Sequence, residues 1–132
     1  MNGSAEPPVV HFVRDAPAKD DGAARQTLAA LDPGGRTVGT LDFQICHACR
    51  RGLIHTIDVV VHWRDQGVAR ETLHVLLAQA CGGDYSWSTT RQTRDGRGFF
   101  ATMEEETEVA FPADATKCSH IRARRRRSPD GT

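Results

Sequence analysis

Period-two alternation organises the first half of the chain. In the segment Thr37–Cys46, Val38, Thr40, Asp42 and Gln44 alternate with Leu41, Phe43 and Ile45, the pattern of a half-buried strand. Arg25–Leu31 precedes it across Asp32-Pro33-Gly34-Gly35-Arg36, a strong turn signal, so the two arms predict an antiparallel hairpin. A second reversal over 48–52 leads into a strand over 53–63. Its centre, Ile57-Asp58-Val59-Val60-Val61, is β-branched and mostly apolar, which predicts a central strand covered on both faces. From Gly67 the period becomes helical. Val68, Leu73, Leu76, Leu77 and Ala80 share one face, Arg70, Glu71 and Gln79 the other, and Cys81-Gly82-Gly83 supplies the stop.

The second half predicts a strand over 85–90 and a short helix over 96–105 that carries Phe99, Phe100 and Met103. A terminal hairpin is expected from 108–111 and 117–123 across Pro112-Ala113-Asp114, with disorder from Arg124 onward. Residues 1–22 are rich in Pro, Ala, Gly and charge and read as a mobile segment, broken by a short edge strand at 9–13. The fold class is therefore α/β: a mixed, mostly antiparallel sheet with two helices in a domain spanning 23–123, followed by a basic tail at 124–132. No internal repeat is visible.

At 132 residues the chain makes one domain. Lys plus Arg and Asp plus Glu both number 17, but Arg122, Arg124, Arg125, Arg126 and Arg127 cluster near the C-terminus. The body is thus mildly acidic. Nucleic-acid contact is expected, if at all, only from the Arg tail, which reads first as a solvated segment. No apolar run approaches the ~18 residues of a membrane span, and residues 1–8 lack a signal peptide's apolar core. A cytoplasmic location with no membrane partner is expected, with Cys46, Cys49, Cys81 and Cys118 as thiols.

The densest chemical signal is the passage from Val59 to Ala69, an apolar strand that ends in a basic, glycine-containing turn and runs into a helix. Such a junction aims backbone N–H groups and a helix N-terminus at one spot, which suits a phosphate or another anion. Arg64-x-x-Gly67-x-Ala69 also matches the Arg/Gln-x-x-Gly-x-Gly/Ala pyrophosphate loop of the GNAT superfamily of N-acyltransferases. Two further blocks resemble that family in the same order. Thr37-Val38-Gly39-Thr40-Leu41 is similar to its Val-Gly strand opening. Tyr85-Ser86-Trp87-Ser88-Thr89-Thr90 with Gly98-Phe99-Phe100 is similar to its next strand and aromatic-bearing helix. The resemblance covers roughly residues 24–111 and is that of a short member without the usual N-terminal strand and helices.

This resemblance implies an N-acetyltransferase that moves an acetyl group from acetyl-CoA to a primary amine, on a small molecule or a protein, by direct attack. It implies that Val59, Val60 and Val61 form a splayed strand edge for pantetheine and the thioester. It assigns Arg64, Asp65, Gln66, Gly67, Val68 and Ala69 to the pyrophosphate, and Thr89, Thr90 and Phe99 to the far side of the cofactor. An amine of pKa ~10.4 costs about 4–5 kcal/mol to neutralise at pH 7, so a general base is expected. Asp58, on the strand bearing the thioester contacts, is the leading candidate and His55 the second; His62 reads as a surface or phosphate-side residue. The family's general-acid Tyr is replaced by Phe99 and Phe100, and Tyr85, the single Tyr, lies on the preceding strand. With the first helices missing, the acceptor pocket is expected to be open, small or completed by a second subunit in a homodimer.

Three other readings stand beside this one. The first is a non-catalytic acyl-CoA-binding or protein-interaction module on the same fold. The second takes Glu104-Glu105-Glu106 as an attractor for a cationic amine, against a plain solvated helix end. The third is a small zinc-stabilised domain held by Cys46-His47-Ala48-Cys49 with Cys118-Ser119-His120. The one-residue gap between Cys118 and His120 is shorter than common zinc spacings, so no metal is expected and the cysteines read as buried or incidental thiols.

Overall fold

The computed structural model describes residues 9–15, 23–79, 85–90, 92–113 and 118–126. Five strands form one sheet in sequence order: β1 (His11–Asp15), β2 (Arg25–Leu31), β3 (Thr37–Cys46), β4 (Arg51–Val59) and β5 (Ser86–Thr89). Neighbours pair antiparallel through β4, and β5 joins β4 in parallel. Helix α1 (Val68–Gln79) makes the crossover between β4 and β5, α2 (Arg94–Thr107) follows β5, and α3 (Ser119–Arg126) ends the described chain. The architecture is the expected mixed, mostly antiparallel α/β sheet, with a third helix added. Among the described residues no helix is long and apolar enough to cross a membrane.

The hairpin of β2 and β3 forms where the alternation places it. Asp32 ties its turn: Oδ1 accepts from the N–H groups of Gly34 and Arg36, both at 2.9 Å, and Gly35 takes φ +86°. These hydrogen bonds to the Arg36 backbone, together with the Arg36 charge, hold the Asp32 carboxyl below the usual carboxylate range. Leu41, Phe43 and Ile45 then fall on one face with Leu28, Ile54 and Trp87. Leu73 and Leu76 of α1 and Phe100 and Met103 of α2 cover that face. Gly39 lets α1 approach the sheet, since a Cβ there would lie 3.0 Å from Val68 Cγ1.

The opposite face is covered at one end only, where Ile121 of α3 packs with Ala23, Cys46 and Leu53. Farther along, it is polar: Asp42 accepts from Thr27 Oγ1 at 2.8 Å and from Thr56 Oγ1 at 3.1 Å. Hence β4 is buried on both faces only around Leu53 and Ile54, and Thr56 and Asp58 are exposed, which corrects the expectation of a fully covered strand.

Three further expectations change. The strand expected over 53–63 stops at Val59, and Val61–Trp63 forms a 3-10 turn. The edge strand lies at His11–Asp15, two residues later than the Val9 start; residues 1–8 and 16–22 lie outside the described residues. The terminal hairpin is absent from the described residues. Ala113 makes a single parallel bridge to Thr89, and α3 replaces the second arm and continues through Arg126, past the expected onset of disorder. Only one apolar side chain of 118–122, Ile121, is buried, so no strand period is set, and the Cys118 Sγ accepting the Ile121 N–H at 3.5 Å starts a helix instead. The Cys81-Gly82-Gly83 stop and residues 127–132 lie outside the described residues.

Candidate functional site

The site grows from an imperfection in the sheet. Between Phe43↔Ile54 and Asp42↔Thr56 the register of β3 and β4 slips by one, so His55 is the extra residue of a bulge. At the same point β4 loses its other neighbour. β5 pairs only with Arg51 through Ile54, and the last contacts are the Thr90 N–H to the Ile54 O at 3.0 Å and the Thr90 Oγ1 to the His55 O at 2.9 Å. Beyond this β5 has ended at Thr89, and β4 runs on to Val59 with no strand beside it on that side among the described residues.

The Val60 N–H donates to the Val38 O at 2.9 Å, which extends the hydrogen-bonded pairing of Asp58 and Thr56 with β3. By the alternation of an antiparallel ladder, Ile57 and Val59 turn their backbone groups to the open side. Both line a cleft of about 380 Å³ between β4, the end of β5 and the start of α2, together with His55, Thr89, Thr90 and Phe99. That volume is in the range of small-molecule sites. Its lining is mostly apolar and includes Ala69 at the start of α1.

The expected anion loop leads into that helix. Asp65 (φ +64°) and Gly67 (φ +84°) both take left-handed conformations, which brings the chain round sharply into α1. Two side chains brace the turn: Arg64 Nε donates to the Val59 O at 2.9 Å and Gln66 Nε2 to the His62 O at 3.0 Å. The first helical bond runs from the Glu71 N–H to the Gly67 O at 2.9 Å, so the N–H groups of Val68, Ala69 and Arg70 precede the intrahelical ladder. The Val68 side chain is buried against Ala30 and Val38 and offers only its backbone. The Arg70 guanidinium is held by the Glu106 and Glu71 carboxylates, at 2.8 and 2.9 Å.

Of the expected strand-edge residues, Val59 lies on the open edge, Val60 has committed its N–H to β3, and Val61 sits 63 % exposed in the 3-10 turn. Ile57 takes the place on that edge that sequence reading assigned farther on. A one-residue bulge leaves no trace in hydropathy, so nothing in the sequence could have found it.

The two base candidates separate. Asp58 is exposed on the polar face opposite Ile57 and does not line the cleft. His55 is among the residues that line it, and its ring is held toward the α3 side of the sheet by a chain of hydrogen bonds. The buried Gln44 gives its Nε2 to the Ala23 O (2.6 Å) and the Ile121 O (3.4 Å), which turns its Oε1 to the His55 Nε2 at 2.7 Å. This makes Nε2 the protonated nitrogen of neutral His55 and Nδ1 the accepting one. His62 is exposed in the 3-10 turn.

Tyr85 stands at the start of β5, roughly 13 Å along the strand from the cleft end, with its hydroxyl 2.7 Å from His47 Nδ1. Phe99 lines the cleft and Phe100 packs into the core. The acidic trio is dispersed: Glu104 accepts the Phe111 N–H at 2.6 Å, and Glu106 is held by Arg70 and His74. Hydrogen bonding to Arg70 and then His74 pulls the Glu106 carboxyl below its ordinary range. At the far end of the sheet Cys46, Cys49, Cys118 and His120 gather, and hydrogen bonding to Cys46, followed by desolvation, pushes the Cys49 thiol up to about 11.

No family model matches the sequence, and no curated protein sequence is significantly similar to it. Solved structures are similar. A ribosomal-protein-alanine N-acetyltransferase from Brucella melitensis biovar Abortus 2308 superposes with TM-score 0.53 at 24% identity, over 72% of this chain and 69% of that one. A Deinococcus radiodurans R1 protein assigned to the acetyltransferases superposes with TM-score 0.51 at 19% identity, over 80% and 66%. The chain thus spans about two thirds of the length of either. The parallel β4–β5 pair that ends beside a bulge, the turn into α1 and the shared topology lead to one conclusion: this chain has the GNAT fold.

Proposed function

We propose that the protein binds acetyl-CoA in the cleft between β4 and β5 and transfers the acetyl group to a primary amine. The observation that carries this reading is the edge of β4 left without a neighbouring strand past the end of β5, over a cleft lined also by Ala69 at the start of α1. An extended, amide-bearing arm that ends in a pyrophosphate needs a free strand edge followed by a cluster of N–H donors, and the cleft has them in that order. The Ile57 backbone groups and the Val59 N–H would bond the pantetheine amides. The N–H groups of Val68, Ala69 and Arg70 would take the pyrophosphate, with Gly67 allowing close approach and Arg64 adding charge. Thr89, Thr90 and Phe99 would wall the other side.

Acetyl-CoA supplies an activated thioester carbonyl; the chain orients it and handles the proton. The amine nitrogen attacks the carbonyl carbon, the C–N bond forms, the C–S bond breaks, and the thiolate departs. His55 Nδ1 takes the proton the amine loses, directly or through one water. Gln44 fixes the tautomer that permits this, so His55 is preferred to Asp58. A second reading, binding without transfer, is favoured by the place of Phe99, which puts a ring without a hydroxyl where the family's acid would stand.

Calorimetric titration of the full chain with acetyl-CoA tests the reading. One-to-one binding is expected, together with thiol release over a panel of amines. Absence of both heat and a melting shift removes the cofactor assignment, and binding with no thiol release for any amine removes the transfer step.

A further inference from the structure

We propose that Cys46, Cys49, Cys118 and His120 form a structural zinc site that fastens α3 to the sheet. The two halves of the set come from distant parts of the sequence. Cys46 ends β3 and Cys49 lies in the β3–β4 turn, whereas Cys118 precedes α3 and His120 lies in its first turn. Their ligand atoms all fall within 4.8 Å of one another.

A tetrahedral ion with Zn–S of ~2.3 Å and Zn–N of ~2.0–2.1 Å holds its sulfur and nitrogen ligands about 3.6 Å apart and its sulfurs about 3.8 Å apart. His120 Nδ1 lies 3.5 Å from Cys46 Sγ and 3.4 Å from Cys49 Sγ, close to the edge of that tetrahedron. Three sulfurs and one imidazole make a closed four-ligand set that selects zinc over oxygen-seeking cations and leaves no position for a substrate.

The surroundings supply a reason for a metal. An isolated helix of eight residues does not persist in water, and α3 carries four arginines. Among its described side chains the buried one is Ile121, in a small cluster with Ala23, Cys46 and Leu53. In the β3–β4 turn Arg50 takes the left-handed region at φ +54°, and the Cys49 Sγ lies within 4.8 Å of the Cys46 Sγ. One ion at this point joins the turn to α3 and so holds the Ile121 carbonyl against Gln44, the residue that orients His55. The site stands on its own geometry and is independent of the acetyl-CoA reading.

The test is elemental analysis of the full chain purified without added metal, followed by competition with a chelator. One zinc per chain is expected, released when a mercurial blocks the thiols. His120→Ala should weaken zinc retention by more than about tenfold, a loss at least as large as removing an outer-shell partner causes. His120→Cys should restore retention, and Cys81→Ser should leave it unchanged. His120 is exposed, so these variants keep the apolar packing and decide the matter even where a Cys46 variant does not fold. Chelation should lower the melting temperature of the parent by more than that of His120→Ala. A folded parent with little zinc, a stoichiometric metal other than zinc, or zinc unaffected by His120→Ala would each overturn the proposal.

Discussion

Adding one methyl at Gly52 probes how β5 is seated against β4, and so how the cleft is built. A Cβ at this position would lie 2.4, 2.5 and 2.8 Å from Cζ3, Cε3 and Cη2 of Trp87, whose ring lies across the glycine. Ordinary carbon contacts need about 3.5–4.0 Å, so the ring must retreat by roughly 1 Å or more. Trp87 is 5% exposed and belongs to the main core with Phe43, Ile54 and Phe100, so it has no open direction in which to move.

Overpacking of this kind costs about 1–3 kcal/mol. Against that, Gly52 does not need a positive φ, and alanine restricts the unfolded chain, returning about 0.4–1 kcal/mol. The net expectation for Gly52→Ala is a destabilisation of about 1–2 kcal/mol, seen in urea unfolding and as a fall in Tm of roughly 5 °C. The decisive measurement is the double-mutant cycle with Trp87→Leu. In that background the methyl meets a smaller, flexible side chain and should cost almost nothing, giving a coupling of about 1–2 kcal/mol. Additive effects within about 0.5 kcal/mol would refute the ring contact as the reason for glycine.

Other expectations follow from the ion pairs and the cleft. Glu106 is held ionised by Arg70 and His74, so its folded pKa lies below the unfolded value. The stability it contributes is present above an unfolded pKa of about 4.3 and is lost as pH falls through the folded pKa. Glu106→Gln should flatten the acid limb of a Tm-versus-pH curve, and an unchanged limb would deny the bridge between α1 and α2. Arg64→Glu should weaken acetyl-CoA binding roughly ten- to a hundredfold, the scale of a charged hydrogen bond; unchanged affinity in calorimetry would place the pyrophosphate elsewhere. His55→Asn should lower kcat by roughly 10²–10⁴ with little change in acetyl-CoA affinity. A larger loss from Asp58→Asn than from His55→Asn would reverse the assignment of the base.

Much of the frame is legible along the chain because it depends on neighbours in sequence. Leu41, Phe43 and Ile45 alternate with polar residues, so β3 can bury only one side. Asp32 to Gly35 contains its own turn chemistry, and α1 begins where the period changes after Gly67. Even the turn proposed to hold the pyrophosphate is local, since its N–H groups, Gly67 and Arg64 lie within a few residues of one another.

What the sequence could not decide depends on partners distant along it. The β-branched run Val59-Val60-Val61 favours a strand, yet β4 ends at Val59, where the last bond to β3 is the one from the Val60 N–H to Val38. Glu104 and Glu106 look like one acidic patch until α1 and the Phe111 backbone claim them separately. Residues 117–123 hold too few apolar positions to declare a period, and Ile121 becomes helical because of the Cys46 and Leu53 surface beneath it. The Cys and His side chains at the end of the sheet meet across more than seventy residues of chain. Sequence by itself determined the elements whose burial pattern is contained within one segment. The tertiary structure decided where strands stop, which residues line the cleft and which thiols converge, because those outcomes depend on surfaces that exist only once other segments have packed.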